Sequence, residues 1–454
     1  MPKNTLSELI NSFPVADTHE HLIEERARLD PANQQFPDDI GLLFIQYMDS
    51  DLISAGMPQL QGGKLASREV NPEDKWAIIR NWWPFIQLTG SGQVVIETVR
   101  TLYGISEISD VTWKALNDKI HSLPRPGFYS KILREVCKID HCQINALDQK
   151  FFRKTDMPDL FFMDLCISTL CSDFDPDAAE EVTGTPVRCL DDCLTAIDSV
   201  FERYGPVAVA VKNQSAYRRR MNYAAATREE AERSLQYLLK NRGNAEKRQL
   251  KCLEDYLFHY TVEKSVAFDL PYKLHTGYHS GTGTMSLHDV RRNPADMADI
   301  CRLHPDARFV FMHITFPYQN ELIALARHYP NAWVDMCWSW MIDPLAAVNF
   351  LKEFLVSVPV NKLFVFGGDV SIVELVPGQL ALMKRGLDQA LSSLLKNHWL
   401  THRDLEPVIE RLMYKNALEF FPIRKLREPA PGTETDDLSS VDPAFPPDPD
   451  RKQG

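Results

Sequence analysis

The sequence predicts an α/β protein built as a single (β/α)₈ barrel with a helical insertion near its N-terminus. From about residue 136 onward, short apolar runs alternate with helical patterns, which is typical of parallel strands that are buried on both faces. With one run near the N-terminus there are eight such runs, and this number favours a closed barrel over an open sheet. A length of 454 residues is sufficient for one large barrel with insertions.

The eight runs justify the predicted strands in chain order. Each is four to nine residues long, several are rich in β-branched or aromatic residues, and most are followed by a helical pattern. They are Phe13–His21, Cys142–Leu147, Leu160–Ile167, Pro206–Lys212, Tyr272–His275, Arg308–His313, Ala332–Trp338 and Leu363–Asp369.

The segments between the runs carry helix signals. Residues 51–135 are rich in aromatic residues and contain few strand-like runs, so we interpret them as a helical insertion in a barrel that covers residues 1–427. Thr227 and Glu230 have the spacing of a capping box, which predicts a helix start, and a second amphipathic helix is expected over residues 245–265. A further helix is expected to start at Thr401.

The last 27 residues differ in composition from the rest of the chain. Residues 428–454 contain six prolines and seven acidic residues, and they have too few apolar side chains to form a core. We therefore expect this segment to be a disordered acidic tail.

Charge and cysteine usage restrict the class of protein. A formal net charge of −12 argues against nucleic acid as a partner, which would require a basic face. No run of 18 apolar residues and no signal-peptide pattern occurs, so neither a membrane partner nor secretion is expected. The nine cysteines form no CxxC pair and are interpreted as reduced thiols. These observations favour a cytoplasmic protein that acts on a small molecule.

Candidate catalytic residues lie where the predicted strands end. His19 and His21 are two residues apart on a strand, so both imidazoles face the same side. A barrel collects the carboxyl ends of its strands in one cup, and four further strands end in ionisable side chains: Lys212, His275, His313 and Asp369. Imidazole and carboxylate groups are ligands that zinc and its divalent neighbours prefer.

In their order along the chain, these residues resemble the amidohydrolase superfamily of metal-dependent barrels. Residues 330–335 and 414–417 add to the resemblance, which covers about residues 10–421. Within the superfamily the sequence looks closest to the branch that includes uronate isomerases, decarboxylases and the amidohydrolase-like part of glutamine-synthetase fusions. The helical insertion and the stretch from Lys212 to Arg218 point to that branch.

The resemblance implies roles for these positions. His19, His21 and Asp369 would hold one or two divalent ions, most readily zinc, and His275 would be a further ligand. His313 would bind a second ion or polarise the substrate carbonyl group. Asp369 would act as general base toward a metal-activated water.

Lys212 remains open between three interpretations. It could be carboxylated and bridge two metals, as it is in binuclear members of the superfamily. It could instead be a free cation that meets an anionic substrate, or a buried lysine that pairs with an acid.

The predicted activity is hydrolysis of an amide, ester or lactone bond in a small polar or anionic substrate. Isomerisation of a sugar acid and non-oxidative decarboxylation are the alternatives, and a non-catalytic binding barrel is a third. The aromatic-rich insertion could cap the site or form a homo-oligomer interface. Candidates for binding the substrate are Lys212, Arg100, Tyr103, Tyr217, Arg218 and Trp338.

Overall fold

The computed structural model describes residues 5–33 and 35–428 of the chain. Apart from Glu428, the predicted acidic tail at 428–454 lies outside the described residues. No helix among the described residues is long and apolar enough to cross a membrane.

The core of the fold is a set of parallel strands that pair in chain order. The strands are β1 Val15–Glu20, β2 Ile139–Ile144, β3 Phe161–Met163, β4 Leu165–Cys166, β5 Val211–Asn213, β6 Tyr272–Leu274, β7 Phe309–Met312, β8 Ala332–Asp335 and β9 Leu363–Phe364.

The third predicted strand is interrupted in the structure. Residues predicted as one strand form β3 and β4, which flank Asp164. The buried Asp164 carboxylate accepts hydrogen bonds of 2.8 and 3.0 Å from Lys273 Nζ. Together, β3 and β4 occupy one position, so the nine strands give the eight positions of a (β/α)₈ barrel.

The barrel closes between its first and last strands. The amides of Thr18 and His21 donate to the carbonyl oxygens of Phe366 and Val370, each at 3.0 Å, and Asp369 N donates to His19 O at 3.0 Å. Because backbone bonds join both edges, no open edge remains at this seam. The predicted barrel fold is therefore confirmed.

Several strand boundaries differ from the prediction. The second strand begins at Ile139, three residues before the predicted Cys142. Strand β5 begins only at Val211, although the apolar run that predicts it starts at Pro206. Residues Gly205–Val207 form a 3₁₀ turn instead. Strand β9 ends at Phe364, and the chain then continues along β1 in irregular backbone.

A long helical segment separates β1 from β2, as predicted for residues 51–135. Helices before β2 are α1 Leu6–Ser12, α2 Glu25–Leu29, α3 Met48–Ser54, α4 Gln59–Ala66, α5 Pro72–Ile86, α6 Gly90–Tyr103, α7 Trp113–Ser122 and α8 Phe128–Ser130. A 3₁₀ turn at Ile40–Phe44 and a π-helical turn at Lys131–Val136 complete the segment.

The remaining helices surround the barrel. They are α9 Ser168–Cys171, α10 Pro176–Thr183, α11 Leu190–Tyr204, α12 Arg228–Lys240, α13 Lys247–Ala267, α14 Leu287–Val290, α15 Asn293–Leu303, α16 Gln319–His328, α17 Ser339–Ile342, α18 Pro344–Ser357, α19 Val376–Lys396, α20 His402–Glu410, α21 Asn416–Phe420 and α22 Ile423–Arg427. The predicted capping box is present, since Thr227 pairs with Glu230 at α12. The helix expected to start at Thr401 is α20, where Thr401 and Asp404 form a further capping box.

Two apolar clusters hold these layers together. The larger one lies mainly between the strands and the helices, and the smaller one fills one end of the barrel interior. The smaller cluster combines strand residues such as Phe162 and Val310 with Phe421 and Ile423 near the C-terminal helices. All nine cysteines are free thiols, as predicted, although Cys252 is exposed.

Candidate metal centre

Five side chains meet at the carboxyl ends of the strands, and we call this set the cup: His19, His21, His275, His313 and Asp369. Each of them is at most 7% exposed. Asp369 Oδ1 lies 3.0 Å from His19 Nε2 and also 3.0 Å from His21 Nε2. The possible ligand atoms of these three residues all lie within 4.8 Å of one another.

His275 and His313 extend the cup on the opposite side. His313 Nε2 lies 2.9 Å from His275 Nδ1 and 3.9 Å from Asp369 Oδ2. The structure therefore brings together five of the residues that the sequence marked at strand ends, from β1, β6, β7 and the segment after β9.

Main-chain carbonyl groups determine which nitrogen faces the cup. His21 Nδ1 lies 2.7 Å from Asn145 O, and His313 Nδ1 lies 3.0 Å from Cys337 O. His275 uses its other nitrogen, because Nε2 lies 2.9 Å from Tyr278 O. A carbonyl oxygen only accepts hydrogen bonds, so each of these nitrogens carries the proton. In the neutral rings of His275 and His313, the opposite nitrogen, which faces the cup, is then unprotonated.

The cup consequently concentrates lone pairs. Unprotonated nitrogens of His275 and His313 face each other at 2.9 Å, and His21 Nε2 faces a carboxylate oxygen at 3.0 Å. The contact between the two unprotonated nitrogens is repulsive unless a positive charge lies between them. Histidine ligands of metals commonly donate their second N–H group to a backbone carbonyl, as these do. The residues present therefore fit a divalent metal ion.

Burial keeps His19, His275 and His313 neutral. Desolvation lowers the pKa of His313 to about 4 and holds the pKa values of His19 and His275 well below the ordinary value. Metal binding requires neutral imidazole. Burial alone would raise the pKa of Asp369, but neighbouring His19 and His21 hold it well below its usual range, so this carboxylate is ionised.

Lys212 lies beside the cup. Its Nζ is 3.2 Å from His19 Nε2 and donates to Met312 Sδ at 2.9 Å, and the side chain is fully buried. Burial lowers the pKa of this lysine. Within the described part of the chain, no carboxylate oxygen lies within 4.0 Å of Nζ.

Two buried acidic residues, Asp17 and Glu20, lie on β1. Glu20, which lies between the two histidines in sequence, accepts a hydrogen bond of 2.7 Å from Val370 N. Burial, followed by the proximity of Asp17, raises the pKa of Glu20, and burial raises the pKa of Asp17 to about 7. Glu20 thus ties β1 to the segment that carries Asp369.

Aromatic side chains form the wall of the cup. Tyr47 donates from its hydroxyl to Asp369 O at 2.6 Å, and the Trp338 ring lies edge-on to His313 with centroids 5.4 Å apart. Tyr217 packs on His275 with centroids 4.5 Å apart, and its hydroxyl accepts from Ser280 N at 3.3 Å. Of the predicted substrate-binding residues, Lys212, Tyr217 and Trp338 therefore adjoin the cup.

Three other predicted substrate-binding residues lie elsewhere. Arg100 is on α6 with an exposed side chain and pairs with Glu97 at 3.2 Å. Tyr103 is buried near the end of α6. Arg218 follows Tyr217, but its half-exposed side chain pairs with Asp173 at 3.4 Å. Their proposed role in binding a substrate carboxylate stays a prediction.

Unusual backbone conformations cluster around the cup. Four non-glycine residues there have positive φ: Tyr47 (67°), His313 (60°), Trp338 (62°) and Asp369 (58°). Residues held in such sparsely populated regions are concentrated at functional sites. Sequence reasoning missed Tyr47 because it lies in a loop before α3, where no periodic pattern marks it.

Comparisons with known proteins agree with this geometry. A sequence profile of the Amidohydrolase family matches residues 190–423, slightly more than half of the chain. Protein fluG of Emericella nidulans is 30% identical to the chain over 119 residues, which is 25% of this chain but only 13% of that protein.

Two solved structures share the fold. A protein assigned as a metal-dependent hydrolase from Lactobacillus casei has a TM-score of 0.66 at 14% identity, with 94% of this chain and 99% of that chain covered. Uronate isomerase from Thermotoga maritima has a TM-score of 0.73 at 14% identity, with 92% and 96% covered. At such low identity the likeness concerns the fold.

Proposed function

Because the chain belongs to the amidohydrolase family, we propose that it is a metal-dependent hydrolase that cleaves an amide, ester or lactone bond in a small molecule. The observation that carries this proposal is the cup itself. Three imidazoles there have their outer nitrogens bonded to carbonyl oxygens. The inner nitrogens of His21 and His313 lie 3.0 and 3.9 Å from the ionised Asp369 carboxylate, and that of His275 lies 2.9 Å from His313 Nε2.

His19, His21 and Asp369 would hold the ion, with His275 and His313 as further ligands or a second position. Zinc suits this set of imidazole and carboxylate donors. When bound, such an ion supplies Lewis-acid polarisation and makes hydroxide available near neutral pH.

Asp369 is the group that moves the proton. Its Oδ1 lies against His19 and His21, whereas Oδ2 lies 3.9 Å from His313 and is less closely engaged. An ionised carboxylate accepts a proton from the attacking water and returns it to the leaving group. Two hydrogen bonds hold the segment around Asp369 in position, because Tyr47 donates to Asp369 O and Val370 N donates to Glu20 Oε2.

Tyr217 is suited to orient the substrate. Burial raises the pKa of its hydroxyl, so the group stays protonated. The oxygen already accepts from Ser280 N, and its own hydrogen is therefore available for a substrate oxygen. We assign it the role of a donor to the carbonyl group under attack.

The test is metal content per chain, measured by elemental mass spectrometry on protein purified without chelator, together with hydrolysis assays on amides, esters and lactones. We expect one or two equivalents of zinc or a similar metal. His19→Ala and Asp369→Asn should fold but lose turnover, and His19→Ala should also lose metal. His121→Ala, on an exposed face of α7, is the matched control.

The outcomes separate the alternatives. Two equivalents of metal would favour a binuclear centre with a carboxylated Lys212, and one would favour a mononuclear centre with Lys212 free. Isomerisation of a sugar acid without any hydrolysis would replace the proposal by the isomerase alternative. A folded chain that binds no added metal would overturn the proposal that the protein is an enzyme.

A further inference from the structure

We propose that the cup continues into a subsite for an uncharged aromatic group of the substrate. This aromatic subsite is formed by Tyr47, Tyr278, Phe316, Trp338, Met341 and Ile342. The inference rests on the proposed function, since the aromatic group would be attached to the bond that is hydrolysed. It replaces the expectation of a polar or anionic substrate.

A cavity of about 590 Å³ lies directly against the cup. Three of its lining residues contact the cup: Tyr47 through its bond to Asp369 O, Tyr278 through its carbonyl oxygen on His275, and Trp338 through its ring on His313. The cup residues themselves do not line the cavity, but these three residues are shared by its wall and the wall of the cup, and the volume accommodates a group larger than the reacting bond.

Four aromatic side chains form one part of the wall of this cavity, which also carries polar residues. The Tyr47 and Trp338 rings lie with centroids 4.5 Å apart at an interplanar angle of 30°. Tyr278 is 5.9 Å from Trp338 and 6.0 Å from Phe316. Rings arranged in this way offer both faces and edges to a further ring, and aromatic contacts favour such offset and edge geometries.

The charged groups that line the cavity are engaged elsewhere. Arg385 is the one cationic side chain among the described lining residues, and it pairs with Glu97 and donates to Gln93. Asp51 accepts from Thr89 at 2.6 Å, and Asp343 caps α18 through the amides of Leu345 and Ala346.

A substrate carboxylate would meet two carboxylates and no unengaged cation on these walls. Like charges placed together disfavour binding. Lys212 does not change this balance, because its Nζ is buried against His19 and Met312 on the cup side. The cavity consequently selects an uncharged group.

Two observations locate the polar part of the substrate at the inner end of the subsite. Ser280 lines the cavity at 7% exposure, and its Oγ is buried without a hydrogen-bond partner. Its amide contacts Tyr217, which packs on His275. A buried hydroxyl without a partner loses free energy unless a ligand satisfies it. Ser280 therefore suits a carbonyl or ether oxygen between the aromatic group and the cup.

The outer rim is apolar as well. Leu88 is 92% exposed and Leu345 is 72% exposed, and both border the cavity. Exposed apolar side chains around a cavity are a mark of binding sites. An aromatic group would cover them as it enters.

The experiment compares binding of two amide probes to the purified metal-loaded protein by titration calorimetry. One is N-benzylacetamide, and the other is its ring carboxylate, 4-(acetamidomethyl)benzoate. Both are also titrated into Asp369→Asn, so that affinity is read without turnover. We expect the uncharged probe to bind at least about tenfold more tightly, which corresponds to about 1.4 kcal/mol.

Variants within the subsite should alter this preference. Phe316→Leu and Trp338→Leu should weaken the uncharged probe about tenfold, and Ile342→Lys should reverse or abolish the preference against the carboxylate. Leu60→Lys, at a fully solvated position on α4 outside the cavity, is the matched control and should change neither affinity. A circular dichroism spectrum checks that each variant is folded.

Equal affinity for the two probes, or no effect of Phe316→Leu and Ile342→Lys in folded protein, would overturn the subsite. Tight binding of the uncharged probe without hydrolysis of any aromatic amide, ester or lactone would support the subsite and overturn the hydrolase. Hydrolysis of sugar lactones without binding of the aromatic probe would support the hydrolase and overturn the aromatic subsite.

Discussion

Main-chain carbonyl groups orient the imidazole rings of the cup. His21 and His313 present Nε2 and His275 presents Nδ1, because the opposite nitrogen of each ring donates to a carbonyl oxygen. Sequence could identify these residues, since they end predicted strands and a barrel gathers strand ends. It could not reveal which nitrogen faces inward, because that depends on the carbonyl groups of Asn145, Cys337 and Tyr278.

Residues in loops were harder to find than residues on strands. Tyr47 reaches Asp369 only because its backbone has φ 67°, a conformation that nothing in the local sequence requires. The substrate-binding candidates Arg100 and Tyr103 were chosen for their side-chain chemistry, but α6 carries them away from the cup. Side-chain chemistry alone, without a position at the end of a strand, did not identify residues that adjoin the cup.

A second pair of histidines, outside the cup, gives a prediction for how stability depends on pH. His259 Nδ1 lies 2.7 Å from His304 Nε2, and burial, then the neighbouring His259, lowers the pKa of His304 to about 4 from 6.5. Between these values the unfolded chain binds more protons than the folded chain. Stability is therefore lost as pH falls from 6.5 toward 4.

His304→Gln should lower the number of protons taken up on unfolding by up to one between pH 6.5 and 4, and so reduce this loss of stability. The measurement is urea unfolding at pH 4.5, 5.5 and 7.0, with the exposed His402→Gln as control. The same pH dependence in His304→Gln and wild type would contradict the assignment. Both variants retain the cup, so its own proton uptake cancels in the comparison.

The strands explain how far the fold could be predicted. All eight strand positions were found, because their apolar runs are bounded by helical patterns. Their lengths were overestimated at β5, where the strand begins only at Val211, and at β9, where it ends at Phe364 before the apolar run does. The break at Asp164 was not predicted. Asp164 pairs there with Lys273, 109 residues away, a contact that no local sequence pattern encodes.

The close approach of β1 to the segment after β9 gives a prediction for Gly368. A Cβ atom there would lie 2.1 Å from Glu20 Oε1. Gly368→Ala should therefore displace the segment that carries Asp369 and destabilise the protein by about 1–3 kcal/mol. We expect reduced metal content as well, measured beside the unfolding midpoint.

Gly63→Ala is the matched control. Gly63 lies in α4, and a Cβ atom added there meets nothing within 4 Å. This variant should be neutral or more stable by about 0.5–1 kcal/mol. Equal behaviour of the two variants would show that the contact with Glu20 does not position Asp369.

The whole molecule is one barrel whose helical segment between β1 and β2 contributes to the wall of the cup. Tyr47, just before α3, contacts Asp369 and also lines the cavity. Sequence composition predicted the helical segment but left its place open between a cap and an oligomer interface. Its contact with the cup is long-range, and no local pattern encodes it.

At this scale, truncation after Glu428 tests the sequence-based expectation for the acidic tail. The shortened chain keeps Arg427, which donates to Asp140 Oδ2 at 2.6 Å and anchors the end of α22. Melting temperature and metal content should equal those of the full chain. A drop of several degrees would show that residues 429–454 pack against the barrel.

The seam between β1 and the segment after β9 has a consequence for biosynthesis. Glu20 and Val370, bonded across it, are 350 residues apart. At about 5–20 residues per second, a ribosome needs roughly 20–70 s to add that length. His19 and His21 therefore emerge long before Asp369, so the three side chains that could hold a metal ion come together only when synthesis of the barrel is almost finished.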